Sequence, residues 1–355
     1  MERETTILTN KQTNKQTNKQ TNKQTNKQTN KQNFITYFRV FAVACILLCH
    51  LVQANKNAYI QMTAQFFNVG VDIFIIISGF CFGLQRDIDS SKNWYKKRIK
   101  RIYLPYELFL IILVVVYLIL GRTFKFENWL SCIIGAQGAN VGVFGADHTW
   151  FITAILLCYI VTPLLQKMEV QIEKQNRSHL EIMVLLIIPI ILSFIPMIVF
   201  HTIGTPICFY SIAYILGRKY KQGFRFKKKY LLFYLCGILI GVAGRLVGKF
   251  IFDGTRIYEC NIVSYTQILI AFCLMAVFSV FFNDIRINGV INWIEKISFE
   301  IYLYHYMFIV GPVSLMKISN SWIMNSVCVV CVTAIIAYFM KQIEEMLMRK
   351  IKRLR

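Results

Sequence analysis

An all-α polytopic membrane protein, a bundle of about ten transmembrane helices with both termini cytoplasmic, is the fold class that the sequence predicts. Three observations predict it. First, 56% of the 355 residues are hydrophobic and only 16% are charged, whereas about a quarter of a soluble domain is charged. Second, the apolar residues gather into ten runs, each near the roughly 20 residues that a bilayer core demands. Third, 32 of the 40 lysines and arginines lie in the N-terminal segment, in alternate connections and after the last run, which the positive-inside rule reads as the cytoplasmic side. An even number of spans then returns the C-terminus to the side of the N-terminus.

The chain opens on a repeat, Lys-Gln-Thr-Asn, that runs from Lys11 to Asn30. With no apolar face to bury, residues 1–33 are expected to be a disordered and dispensable basic tail. The membrane domain then spans 34–345, and 346–355 forms a basic cytoplasmic tail. The predicted spans are 34–53, 64–85, 103–120, 149–166, 180–200, 202–217, 230–250, 262–282, 297–316 and 322–341. Between the third and fourth, residues 121–148 hold the Gly- and Ala-rich stretch GAQGANVGVFGAD, of a kind tolerated at membrane depth where protein or water surrounds it.

The net charge of +22 does not point to nucleic acid, because the basic residues sit between apolar runs and build no soluble basic face. The cysteines fall mostly inside apolar runs, Cys328 and Cys331 included, and read as small apolar residues; no metal site is expected.

Ionisable residues inside the spans carry the chemistry, since a charge at membrane depth costs at least ~2.5 kcal/mol and usually marks a pathway or a reaction. Arg39 and His50 share the first span. Eleven residues apart, they lie within about 20° on one helix face and about 16 Å apart in depth. The second span carries Asp72 and Ser78, and an acid there is placed to orient the His50 imidazole. In the basic run WYKKRIKRIYLPY, Arg98 and Arg101 are three apart and share a face, so their guanidinium forks can grip a polyphosphate. His148 and Trp150 open the fourth span. Glu300 lies near the cytoplasmic edge of the ninth, with His305 about 12 Å deep if that span begins at Ile297.

Taken together, the Arg39-x10-His50 pair, GVDIFIIISGF from Gly70 to Phe80, RIKRIYLPY, His148-Thr-Trp150 and ISFEIYLYH ending at His305 resemble acyltransferase family 3. The family consists of integral membrane acyltransferases, many of which O-acetylate bacterial surface polysaccharides. The resemblance implies an acyl-CoA co-substrate on the cytoplasmic side and no permanently bound cofactor. It also implies that Arg39 and His50 are essential and that Arg98 and Arg101 hold the donor, with the bilayer, acyl-CoA and a carbohydrate acceptor as partners in the bacterial inner membrane. Phe299 and Glu300 depart from the Tyr-Ser expected before Ile-Tyr-Leu. His50 is the expected base, with Arg39 and Asp72 in the catalytic group, and a covalent acyl-histidine is the alternative mechanism. Ser78, His148, Trp150, Glu300 and His305 stand near the acceptor or behind the catalytic residues. The alternative is a transporter or flippase of a glycan or small metabolite, which would show related halves with broken helices in matching positions; the Arg39/His50 and GVDIF patterns do not recur in the second half.

Overall fold

A computed structural model describes residues 32–85, 88, 90–123, 125–135, 143–175, 198–255 and 257–353. Residues 1–31 of the predicted disordered tail, most of the fifth predicted span and the centre of the Gly-rich stretch lie outside the described residues. Among those described the chain is helical, without strands. Among the described residues, seven helical stretches are long and apolar enough to cross a membrane: Asn33–Gln53, Ala58–Leu84, Ser91–Ile119, Asp147–Val170, Lys228–Phe252, Val263–Phe282 and Trp322–Ile351. The chain is a multi-pass membrane protein.

The first helix, α1 (Asn33–Gln53), follows the predicted span almost residue for residue. The second predicted span is instead two helices, α2 (Ala58–Phe67) and α3 (Val69–Leu84), broken at Asn68. Asn57 starts α2 by accepting the Tyr59 and Ile60 amides, the usual work of an N-cap. The break puts Asp72 in the first turn of α3, where the positive end of the helix dipole favours a carboxylate. Helix α4 (Ser91–Ile119) begins twelve residues before the predicted span and takes in the whole basic run. Ser90 caps it through the Asn93 amide. A short helix, α5 (Phe126–Ile133), and a 3₁₀ turn over Asp147–Thr149 lead into α6 (Trp150–Gln175). Then come α7 (Ile198–Lys221), α8 (Leu231–Phe252), α9 (Val263–Phe282), α10 (Gly289–Ile309) and α11 (Trp322–Arg353). The last runs unbroken past residue 346, where the tail was expected to begin.

Helix α10 corrects the ninth predicted span, which was set at 297–316. Asn288 caps its start by accepting the Ile291 amide at 2.8 Å. At its end the Val310 and Gly311 amides both return to the Tyr306 carbonyl, and Pro312 follows. Hydropathy alone had carried the span across this stop.

At the centre of the bundle α1 packs on α2, α3, α9 and α10, while α3 packs on α7, α9 and α6. The α3–α7 contact is close because Gly79 and Gly83 lie against the Tyr210 and Tyr214 carbonyls, where a Cβ would collide with backbone; small residues allow this approach in membranes. Around it, Phe34, Phe38, Phe80, Tyr210 and Tyr220 are buried in one core.

Candidate active site

Helices α1 and α10 lie side by side and meet at two levels. Arg39 and Glu295, each six residues past the first residue of its helix, form an ion pair. His50 and His305, seventeen and sixteen residues in, bring their rings to 5.2 Å. Offsets that match at the first level and differ by one residue at the second mean that the helices run parallel and close to register. The rise of the helix puts both histidines about 25 Å from the helix starts. The earlier start of α10 therefore moves His305 from the depth of about 12 Å expected for a span beginning at Ile297 to the level of His50.

His148 completes a cluster of three imidazoles. Its ring is 5.1 Å from that of His305, and Tyr306 wedges between helices, stacked on His148 at 4.8 Å and edge-on to His50 at 5.0 Å. Hydrogen bonds assign the protons. His50 Nδ1 donates to Gln53 Oε1 at 2.8 Å. His305 Nδ1 donates to the Tyr302 carbonyl at 2.7 Å, and His148 Nε2 to the Leu303 carbonyl at 3.2 Å. Each ring is thus left with one basic nitrogen. In His148 (Nδ1) and His305 (Nε2) that nitrogen is buried without a hydrogen-bond partner, an arrangement that costs about 1–3 kcal/mol and is uncommon unless the group has a use. Tyr302 steadies the cluster by donating to the His148 carbonyl at 2.6 Å. His50 is the least enclosed of the three and borders a cavity of about 320 Å³.

Asp72 does not orient His50 as expected; Gln53, one turn further along α1, does. The Asp72 carboxylate belongs to a different network. The buried Gln267 amide, with its NH₂ toward the carboxylate and its oxygen toward the guanidinium, donates to Asp72 Oδ2 at 3.1 Å and accepts from Arg245 Nη1 at 2.9 Å. Gln267 and Arg245 were not singled out in the sequence, although an arginine inside an apolar run carries the same signal as Arg39.

Arg98 and Arg101 share a face of α4 as predicted, away from the histidines. Arg98 Nη2 donates to Gln85 Oε1 at 3.0 Å, and its guanidinium lies over Phe82 at 4.6 Å and Trp94 at 5.9 Å. Lys221 also reaches this spot, donating to the Gln85 carbonyl at 3.0 Å, while Arg101 is exposed. Ser78 falls nearer these arginines than the histidines: its hydroxyl donates to the Phe74 carbonyl at 2.9 Å and it bonds Tyr159, a neighbour of Arg98. Trp150 is half-buried against the core at the start of α6. Glu300 is eleven residues into α10 rather than near its edge, and it accepts from Lys341 Nζ at 3.0 Å. No group of histidine, cysteine and acidic side chains fit to hold a metal occurs among the described residues.

Two polar levels joined by one helix pair, with a half-exposed arginine paired to a glutamate at one and bases at the other, can bring an anionic donor and a proton-bearing nucleophile to the same line. A family model described as an acyltransferase domain, that of acyltransferase family 3, matches residues 32–341. No curated protein and no solved structure matches the chain. The family match takes in the whole of both levels, from Arg39 to Tyr306, and the chain belongs to acyltransferase family 3.

Proposed function

We propose that the chain moves an acyl group, acetyl in the first place, from cytoplasmic acyl-CoA to a hydroxyl of a cell-surface or lipid-linked carbohydrate. In this reading it sits in the bacterial inner membrane with ten spans and both termini in the cytoplasm. The observation that carries the reading is the register of α1 against α10. It sets the Arg39–Glu295 pair toward the start of both helices and the basic nitrogens of His50, His148 and His305 toward their ends.

The donor is a polyanionic head on a long thin arm. Arg98, Arg101 and Lys221 hold its phosphates, and the arm threads along the Arg39 face toward His50. There the free nitrogen of His50 takes the proton of the acceptor hydroxyl while the oxygen attacks the thioester carbon. The carbon–sulfur bond breaks, and the imidazolium returns its proton to the departing thiolate. Gln53 keeps the ring in the tautomer this requires.

Proteoliposomes of known orientation test the whole scheme. Labelled acetyl-CoA supplied on the side of the chain termini should label an added glycan, with one CoA thiol released per ester formed. Movement of glycan with no thioester consumed would replace the enzyme by a transporter. Reporter fusions test the orientation: Gln222 should read as internal, Gln137 and Gly254 as external, and a reversed reading at any of them breaks the ten-span topology.

Holding the donor is a binding role, so its loss should raise the apparent KM with little change in turnover. Arg101→Lys, which keeps the charge but loses the fork, is expected to raise KM for acetyl-CoA by about tenfold, the equivalent of one weakened charge-assisted hydrogen bond. A fall in turnover at saturating donor would remove Arg101 from the donor site.

A further inference from the structure

The cavity beside His50 has a composition that the acyl-transfer chemistry does not require. Around the imidazole stand four amides, Gln53, Gln61, Gln65 and Asn68, together with the cations Arg245 and Lys249, and no carboxylate lines it. Three of the amides are half engaged. Gln53 uses its oxygen on His50, Gln65 its oxygen on the Tyr258 hydroxyl, and Gln61 its NH₂ on the Asn55 carbonyl. The other half of each amide remains, supplying both donors and acceptors, which is the pairing that vicinal hydroxyls need. Asn68 is also where the α2–α3 helix breaks, and interrupted backbone at membrane depth is tolerated where it lines a wet cavity.

The two cations differ. Arg245, 3% exposed, is already joined through Gln267 to Asp72. Lys249, one turn further along α8 and half-buried, is in none of the ion pairs among the described residues. Its charge is the uncompensated one.

We infer that this cavity is the acceptor subsite and that it selects a sugar carrying a negative charge, a carboxylate or a phosphate, which Lys249 holds while a hydroxyl of the same molecule lies at His50. The inference rests on the acyl-transfer reading above and narrows its acceptor. The amides fix the sugar ring, and the ammonium sets which ring is chosen.

Three acceptors test it with the full-length protein in nanodiscs and labelled acetyl-CoA: a trisaccharide of glucose, the same trisaccharide ending in glucuronate, and the neutral trisaccharide linked to polyprenyl phosphate. All three keep primary hydroxyls for acylation. At least one charged acceptor should exceed the neutral one in kcat/KM by about tenfold or more, as a charge-assisted hydrogen bond would give. Which of the two does so separates carboxylate from phosphate. In Lys249→Gln the ratio should fall toward one through KM, and Lys249→Arg should keep it. A ratio of rates does not depend on how much protein has folded, so misfolding cannot imitate this result. Equal use of all three acceptors by the wild type, or an unchanged ratio in Lys249→Gln, overturns the charge selection while leaving acyl transfer intact. Failure to acylate any of the three overturns the carbohydrate reading and the subsite with it.

Discussion

Alanine at His50 is expected to slow acyl transfer by about 10²- to 10⁴-fold, the contribution of a positioned general base, in a protein that still inserts. The ring lines the cavity proposed above for the acceptor, and one of its nitrogens is fixed by Gln53. His305 is 0% exposed and His148 is wedged between Phe109 and Tyr306. These two rings back the first and do not face the cavity, so His148→Ala and His305→Ala should be milder in turnover and heavier in stability. Gln53→Ala should cost about tenfold, the value of one hydrogen bond to a group that becomes charged. Asp72→Asn should act on the Arg245–Gln267 network and on protein levels, leaving the His50 step intact. The deciding measurement is transfer by the three histidine variants at matched membrane levels. Near-normal transfer by His50→Ala, with loss in one of the others, would move the base to α10 or to the turn before α6.

What was legible in the sequence is what one helix determines by itself. The Arg39 and His50 alignment follows from helical rise and turn alone, and in the fold that face meets α10 at both residues. The Arg98 and Arg101 pair was legible for the same reason. Partners from distant helices were not. Glu295 was assigned to the connection 283–296, because hydropathy marks where a span is apolar and not where its helix begins. The signals that would have moved the boundary are local, Asn288 as a cap and Gly311-Pro312 as a stop. Gln53 carries no charge that would mark it inside a span, and Asp72 reads as the orienting acid only because it stands on the neighbouring span. Four buried groups, Asp72, Gln267, Arg245 and Tyr258, are linked by hydrogen bonds across α3, α9, α8 and the turn between the last two, and spacing along the chain carries no trace of such an arrangement.

Losing either member of the Arg39–Glu295 pair should be severe for two separable reasons, and a double replacement separates them. Arg39→Met would take the guanidinium away from Glu295, whose side chain is 7% exposed, and Glu295→Met would take the carboxylate away from Arg39. Removing one partner of a pair with one buried member costs up to about 3 kcal/mol, whereas replacing both members by apolar side chains of similar volume is often neutral. Each single variant is therefore expected to accumulate poorly and to melt early, and Arg39→Met/Glu295→Met to recover toward wild type in both. Transfer should not recover with it. The Arg39 side chain stays 28% exposed although one nitrogen is held by Glu295, and a guanidinium has further N–H donors to offer an anionic donor passing along its face. The double variant should remain at least about a hundredfold below wild type, as expected when a charge-assisted contact of about 3 kcal/mol is removed. Thermal melting in detergent and acyl transfer at equal protein read the two effects independently. Recovery of transfer together with stability would make Arg39 a structural partner of Glu295 alone, and the line from the arginine to His50 would then carry no donor.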